Sequence, residues 1–216
     1  MVSKLKISTK IQLFFISLLG KIGLVMKMMI VKIFTLFNKV LEYAERENTK
    51  LVLKRAGQVD ASVKPGKNTF LQIQPKIKKL IIEENVSWKD NNAIRIYNGA
   101  EFIMRKNTYF SDRVSINCLD KIEIGENSWI GEGSKLYDHN HKYVTEPEYE
   151  WKIREFDTAP IIIGKNVKIY SDVTILKGVT IGDNCIIGAK CTIYKDIPPY
   201  SIVINKTENI IKPILK

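Results

Sequence analysis

Histidine and cysteine are both scarce in this sequence, and their scarcity limits the chemistry available to it. Among 216 residues the only histidines are His139 and His141. A zinc site that takes three histidines from one chain is therefore excluded. The three cysteines, Cys118, Cys185 and Cys191, are odd in number and show no CxxC spacing, so a disulfide framework is not expected. We expect reduced thiols, with Cys185 and Cys191 in a packed core.

A long uncharged hydrophobic run is also absent, which argues against a membrane-spanning helix. The longest such run, residues 11–20, is far shorter than the roughly 20 residues that a spanning helix needs. Residues 11–38 are nevertheless strongly apolar. At about 100° per residue, Lys10, Lys21, Lys32 and Lys39 fall in a narrow stripe, together with Ser17 and Thr35.

This thin basic stripe favours a helix at the membrane interface, in which residues 10–39 contact anionic head groups. Residues 1–55 hold most of the formal charge of +11, which agrees with an acidic surface as partner. A helix packed against other subunits is the alternative. A signal peptide is disfavoured because no small-x-small cleavage site follows, and nucleic acid is not expected because few aromatic residues are interleaved with the basic ones.

A repeat of six residues in the C-terminal half decides the predicted fold. Isoleucine recurs at every sixth position, and a small or aliphatic side chain follows four residues after each. The isoleucines are Ile163, Ile169, Ile175, Ile181, Ile187 and Ile193, and the residues that follow them are Val167, Val173, Val179, Cys185, Cys191 and Ile197. A period of six fits neither an α-helix nor a two-residue strand alternation. It fits a solenoid in which each hexapeptide forms a short strand and a corner, with three hexapeptides to a coil.

The same register continues upstream at Ile124, Ile130 and Leu136, with Ser128 and Ser134 as the small partners. Looser coils are predicted before it, at Ile94, Ile96, Phe102, Met104, Phe110, Val114 and Ile116. Residues 51–53, 71–73 and 80–82 are further candidate strands.

The segment IGKNVKIYSDVTILKGVTIGDNCIIGAKCTIYKDIPP, residues 163–199, resembles the hexapeptide-repeat acyltransferases. It is most similar to the branch with galactoside, maltose and serine acetyltransferases and bacterial polysaccharide O-acetyltransferases. The resemblance covers roughly residues 94–199. It implies a mainly β fold, a left-handed parallel β-helix solenoid of hexapeptide repeats with a protruding loop, which the basic apolar pattern precedes with an N-terminal α-helical segment. It also implies a homotrimer with active sites between subunits, acetyl-CoA as co-substrate and no metal.

The two histidines lie where the repeat loses phase. Counted from Leu136, His141 is the sixth residue of its hexad, and the next aliphatic in register is Ile163. The residues between, about 138–160, are therefore predicted to leave the solenoid as a loop. The resemblance implies that His141 is the general base, which takes the proton of an acceptor hydroxyl. A backbone carbonyl or one of the carboxylates Glu146, Glu148 and Glu150 would hold its other ring nitrogen. His139 either binds the acceptor or orients His141, or it is a solvated loop residue.

The resemblance implies the remaining site residues as well. The Ser171 amide is the candidate donor to the thioester oxygen, although Tyr170 and Lys168 replace a glycine and a tryptophan of the family. The residues expected to contact acetyl-CoA are Ser171, Gly188, Ala189, Lys195 and Lys206. Those expected to contact the acceptor are Ser111, Asp112, Asp138, Asn140 and Trp151.

The predicted organisation has three parts: a basic apolar helical segment at 1–47, the β-helix domain at 48–200, and a tail at 201–216. The predicted function is transfer of acetyl from acetyl-CoA to a hydroxyl of a sugar or bacterial surface polysaccharide. We expect a cytoplasmic enzyme, peripheral on the inner face of the cell membrane. The alternatives are a non-catalytic hexapeptide scaffold and, less favoured for want of a third histidine, a metal enzyme of the γ-carbonic anhydrase type.

Overall fold

The computed structural model describes residues 24–144 and 150–206. Part of the predicted basic stripe, the carboxylates Glu146 and Glu148, and most of the predicted tail lie outside the described residues. The chain divides into two compact units, residues 1–44 and 45–216.

A single long helix, α1 (Leu24–Ala56), opens the described chain. Lys54 and Arg55 occupy its last turn, where cations interact favourably with the helix dipole. The prediction of a strand at residues 51–53 is wrong, because this stretch continues the helix beyond the predicted boundary at 47. Thr49 and Leu53, one turn apart, are both buried, so helical periodicity outweighs the strand propensity of the Leu-Val-Leu run.

Twenty strands follow within the described residues, numbered here in chain order, and eighteen of them form three parallel six-stranded sheets. Sheet A contains β1 (Gln58–Val59), β3 (Lys79–Ile82), β6 (Glu101–Met104), β9 (Lys121–Ile124), β14 (Ile161–Ile163) and β17 (Thr180–Ile181). Sheet B contains β4 (Ser87–Trp88), β7 (Tyr109–Phe110), β10 (Trp129–Ile130), β15 (Lys168–Ile169), β18 (Ile186–Ile187) and β20 (Ile202–Val203). Sheet C contains β2 (Phe70–Ile73), β5 (Ala93–Ile96), β8 (Ser115–Cys118), β11 (Lys135–Tyr137), β16 (Thr174–Leu176) and β19 (Thr192–Ile193).

The chain visits sheets A, B and C in turn, so each circuit is one coil of a parallel β-helix. The predicted fold class is thereby confirmed, including the strands at 71–73 and 80–82. The remaining two strands, β12 (His139–Val144) and β13 (Glu150–Thr158), form an antiparallel hairpin inserted between β11 and β14. This hairpin is the predicted excursion, and it is paired rather than irregular.

The aliphatic residues of the repeat form one continuous core. In sheet B, Ile130 pairs with Ile169 and Ile169 with Ile187, and all three are essentially inaccessible to solvent. Cys185 and Cys191 are buried in the small-residue position as predicted. Such stacked aliphatic side chains supply most of the stabilisation of a solenoid, because each coil buries its apolar face only against its neighbours.

Three kinds of corner join the sheets, and they are called here the AB, BC and CA corners after the sheets they connect. At successive AB corners an asparagine adopts a positive φ of 54–59°, at Asn85, Asn107, Asn127, Asn166 and Asn184. Asparagine tolerates this left-handed conformation better than most residues. Asn107 and Asn166 also donate side-chain hydrogen bonds to the asparagines of the next coil, at 2.9 and 3.1 Å. The sixfold aliphatic pattern does not by itself predict this ladder, although each asparagine directly precedes the small residue of its hexad.

Candidate active site

Both histidines lie at the CA corner, in the first strand of the hairpin. His139 and His141 are two residues apart in β12, so their side chains lie on the same face of the strand. That face packs on Phe156 of β13, whose ring centroid is 5.3 Å from that of His139 and 4.8 Å from that of His141. His141 is directly opposite Phe156, and the strand pairing shifts register just after it. The side chain of His141 is exposed, as an imidazole that meets a substrate must be.

His139 is held differently, because it contacts a buried carboxylate. Its Nδ1 lies 3.3 Å from Oδ1 of Asp138, and only 13% of its side chain is accessible. The Asp138 carboxylate is fully buried and accepts hydrogen bonds from the amides of Leu119 and Asp120 at 2.8–3.0 Å. Asp138 therefore joins the hairpin to the preceding coil. Its buried carboxylate offers no surface to an acceptor, contrary to the prediction.

The buried surroundings of Asp138 also affect a neighbouring thiol. Burial, with a smaller contribution from the Asp138 carboxylate, raises the pKa of the Cys118 thiol far above its ordinary value. Cys118 is fully buried in sheet C and donates to the carbonyl of Glu101 at 3.3 Å. It is a packing residue in the neutral thiol form and not a nucleophile.

The residues predicted to meet the thioester lie at a different corner. Ser171 is exposed at the BC corner, directly after β15 and Tyr170. Lys190 donates its amide to the Ser171 carbonyl at 2.9 Å. Within the described part of the chain, the amide of Ser171 has no hydrogen-bond acceptor. An exposed N–H group with no acceptor in the chain is what an oxyanion donor requires.

Most of the other residues predicted to contact acetyl-CoA or the acceptor lie at the BC corners of successive coils. Gly188 and Ala189 lie one coil beyond Ser171 toward the C-terminus, and Lys206 follows β20 in the next. Ser111 and Asp112 lie two coils before Ser171. Oδ1 of Asp112 accepts the amide of Asp90 at 3.0 Å, and its other oxygen faces Lys89 Nζ at 3.8 Å, so part of its binding capacity is used within the fold.

A cavity of about 180 Å³ opens on this row of BC corners, on the side of Ser171 away from Gly188. Its wall includes the aromatic side chains of Trp129 and Tyr170, which are 42% and 45% exposed. Nζ of Lys168 lies 4.9 Å from the Trp129 ring centroid and 5.3 Å from that of Tyr170. We call this the Lys168 pocket; its lining comprises Ser111, Trp129, Gly131, Glu132, Lys168, Ile169, Tyr170 and Ser171.

In the sequence, Lys168 and Tyr170 are notable only as departures from the family. Neither Trp129 nor Phe156 is among the predicted site residues. The outward position of Trp129 is predictable, because the residue before each in-register isoleucine points away from the core. The contact of Phe156 with the histidines follows only from the pairing of β12 with β13.

The BC and CA corners, which hold the candidate residues, lie at opposite edges of sheet C. The CA corner also holds Asn140, which is exposed, and Lys195, which contacts the Tyr194 ring and is therefore not with the other coenzyme candidates. Trp151 is opposite Tyr143 in the hairpin. A corner residue such as Ser171 is separated from the far edge of sheet C by about five residues, or roughly 15 Å at 3.3 Å per residue. The structure thus does not bring His141 and Ser171 of one chain together.

Neither a metal centre nor a spanning helix is found in the part of the chain that the structure describes. No group of three or more histidine, cysteine and acidic side chains there is arranged to hold an ion. None of the described helical sequence is both long and apolar enough to cross a membrane.

The hexapeptide pattern has a direct counterpart among known protein families. Residues 160–195 match the family described as bacterial transferase hexapeptide (six repeats). The resemblance inferred from the residues is thereby confirmed.

Several known acetyltransferases are similar to this chain over larger parts of its length. "Probable acetyltransferase" of Mycobacterium tuberculosis is 29% identical over 68% of this chain and 48% of its own length. Galactoside O-acetyltransferase of Escherichia coli is 34% identical over 54% of this chain and 56% of its own length. The chain thus spans about half the length of these relatives. Among solved structures, a maltose O-acetyltransferase from Clostridium difficile is 26% identical, with 76% of this chain and 78% of that chain covered and a TM-score of 0.43.

Proposed function

We propose that this chain is an acetyl-CoA-dependent O-acetyltransferase that acetylates a hydroxyl of a sugar or glycan. The hexapeptide-repeat match and the names of the relatives support the reaction class. The observation that carries the proposal is the pair of exposed groups at the two edges of sheet C. One is an imidazole at the base of a hairpin, and the other is a backbone amide with no acceptor in the described chain.

In the proposed reaction His141 is the general base. Its neutral imidazole takes the proton of the acceptor hydroxyl while that oxygen attacks the thioester carbonyl of acetyl-CoA. The Ser171 amide donates to the carbonyl oxygen as it gains negative charge. The carbon–sulfur bond then breaks, and the coenzyme A thiolate takes the proton from the His141 imidazolium. No covalent acetyl-enzyme is required.

The separation of His141 from Ser171 favours an oligomer. A base and an oxyanion donor must both reach the same reacting carbonyl, which the roughly 15 Å width of sheet C prevents within one chain. A second copy of the chain can place its Ser171 corner against the first chain's hairpin corner, and cyclic symmetry repeats this contact around a ring. We therefore propose a homotrimer with sites between subunits, as the resemblance implies.

Acetyl-CoA would extend from Ser171 along the BC corners. Gly188 and Ala189 leave the surface low beside Ser171, and Lys206 adds a positive charge farther along for the coenzyme phosphates. His139, fixed by Asp138, would orient the acceptor next to His141. Asn140 lies between the two histidines on the exposed strand and is the other acceptor candidate at this corner.

The proposed activity is tested with labelled acetyl-CoA and bacterial glycan extracts, followed by identification of the labelled product. An ester-linked acetyl group on a sugar is the expected result. If no extract yields a labelled product although the protein binds acetyl-CoA, the non-catalytic scaffold is favoured. An amide-linked product would keep the transferase and change the acceptor class.

Helix α1 supports a peripheral membrane location. Between Met26 and Tyr43 all of its large apolar side chains except Ile30 are half exposed or nearly so, for example Leu36 at 64% and Phe37 at 51%, and Lys32 and Lys39 are exposed among them. This combination suits an interface of apolar lipid and anionic head groups. We expect the chain to lie on the cytoplasmic face of the membrane, where acetyl-CoA is available.

Vesicle sedimentation separates this location from helix packing between subunits. The protein should sediment with phosphatidylglycerol vesicles and much less with phosphatidylcholine vesicles. A Leu36→Ser, Phe37→Ser variant should lose this binding, whereas Tyr194→Ser, an exposed aromatic elsewhere, should keep it. If the helix variant instead dissociates the oligomer and vesicle binding is absent throughout, the helix is a subunit contact.

A further inference from the structure

Lys168 combines two features: it has no acidic partner in the described chain, and its ammonium group lies at the wall of a cavity against two aromatic rings. Lys121 pairs with Glu123 at 2.9 Å, and Lys67 pairs with Asp90 at 3.6 Å. Lys168 is half-buried, and no carboxylate of the described chain lies within ion-pair distance of it. Its ammonium group lies against the Trp129 and Tyr170 rings instead.

This arrangement leaves a positive charge uncompensated at the wall of a small cavity. Aromatic faces stabilise a cation but carry no net charge to neutralise it. Partial burial strengthens the attraction for an anion, because the effective dielectric constant is lower than in water. Glu132, the acidic residue of the same wall, is ion-paired with Arg113, so its charge is already matched.

The position of the Lys168 pocket fits an acceptor rather than the coenzyme. The coenzyme candidates Gly188 and Ala189 lie on one side of Ser171, and the pocket opens on the other. A hydroxyl held in the pocket would therefore lie next to the thioester. The volume of about 180 Å³ is below the roughly 300–1,000 Å³ of sites for drug-sized ligands, which suits one sugar ring with the rest of a glycan outside.

We propose that the acceptor is an anionic sugar, whose ring packs on Trp129 and Tyr170 and whose carboxylate or phosphate pairs with Lys168. This inference rests on the proposed acetyltransferase function and names its substrate class. The exposed aromatic faces provide the apolar contact that a sugar ring requires. Lys168 provides the charge that separates an acidic sugar from a neutral one.

Binding of three sugars with the same ring tests the site without relying on catalysis. Glucose, glucuronate and glucose 6-phosphate differ only at the sixth carbon, and their affinities can be measured on the full chain by ligand-observed NMR titration. Both anions should bind roughly 10-fold more tightly than glucose, the ratio expected for one charge-assisted contact. The tighter of the two anions identifies the charged group that the pocket takes.

Lys168→Met is the diagnostic variant, because it keeps an unbranched side chain against the two rings and removes the charge. It should reduce the affinity for both anions to that for glucose. Lys165→Met, an exposed lysine at the neighbouring AB corner, changes the net charge equally and should leave all three affinities unchanged. Equal binding of glucose and glucuronate by the wild type, or unchanged anion binding by Lys168→Met, would overturn the proposal.

Acetyl transfer from labelled acetyl-CoA to the same sugars separates this inference from the function on which it rests. Transfer that favours glucuronate or glucose 6-phosphate, and loses this preference in Lys168→Met, supports both. Transfer to glucose at the same rate refutes the anion site and keeps the enzyme. Charge-selective binding with no transfer to any acceptor refutes the transferase and keeps the anion site.

Discussion

The BC and CA corners differ in regularity, and each carries half of the candidate site. From sheet B to sheet C the core aliphatics are six residues apart in successive coils, as in Ile130 to Leu136 and Ile169 to Ile175. From sheet C to sheet A the distance varies between coils, from six residues between Ile175 and Ile181, through eight between Ile116 and Ile124, to twenty-seven where the hairpin is inserted.

This difference suits the two kinds of chemistry. The invariant BC corner repeats the same backbone geometry at each coil, so it can fix an amide donor through the parallel ladder alone. The variable CA corner accepts insertions without disturbing the core, so it can carry side chains such as His141 on a hairpin. Regular repeats thus position backbone groups, and the interrupted corner supplies the titratable group.

The largest expected effect comes from the CA corner. His141→Ala should lower the rate of acetyl transfer by about 10²–10⁴-fold, because a positioned general base is lost. The measurement is kcat on an acceptor identified in the glycan assay. Lys142→Ala, an exposed neighbour in β12, should remain near the wild-type rate. A His141→Ala protein that keeps its oligomeric state and full activity would refute the proposed mechanism.

The BC corner should respond to loss of the amide and not of the side chain. Ser171→Pro removes the N–H group and should lower kcat by about 10²–10³-fold, the usual effect of losing one oxyanion donor. Ser171→Ala keeps the N–H group and should be nearly as active as the wild type. If the alanine variant is as impaired as the proline variant, the hydroxyl is the functional group and the comparison between corners fails.

A smaller effect compares two aspartates that cap these corners. Asp138 at the CA corner is fully buried and Asp112 at the BC corner is 28% accessible in its side chain. Asp138→Asn should lower the free energy of unfolding by about 1–3 kcal/mol, since its amide group cannot accept all the backbone hydrogen bonds that the carboxylate accepts. Asp112→Asn should cost less than about 1 kcal/mol at its more exposed position.

Urea unfolding monitored by circular dichroism measures both changes. Equal destabilisation by the two substitutions would mean that burial of Asp138 contributes little. In that case the proposed link between the hairpin and the preceding coil would have to be abandoned.

Much of the fold is predictable because the sixfold pattern is a property of the sequence itself. The isoleucines from Ile163 to Ile193 predict the coils directly, and the loss of phase after Leu136 predicts the excursion with its histidines. The end of α1 was not predictable in this way, because a short run such as Leu-Val-Leu is compatible with either helix or strand until its packing partners are known.

The details of the site depend on contacts between coils, which no local pattern contains. Asp138 follows the tyrosine of a predicted strand, and its burial results from amides of Leu119 and Asp120 in the previous coil. Lys168 and Trp129 are far apart in sequence and meet because their strands pair in sheet B. Such pairs need the register of the whole solenoid.

The central claim, that one site uses His141 of one chain and Ser171 of another, is tested most directly by subunit mixing. His141→Ala and Ser171→Pro chains, each nearly inactive alone, are co-expressed in equal amounts and purified as mixed oligomers. In a cyclic trimer each site takes His141 from one chain and Ser171 from its neighbour. With random assembly each of these two residues is intact in about half of the cases, so about a quarter of the wild-type sites should be restored. Activity no greater than the sum of the two separate variants would contradict a site shared between chains.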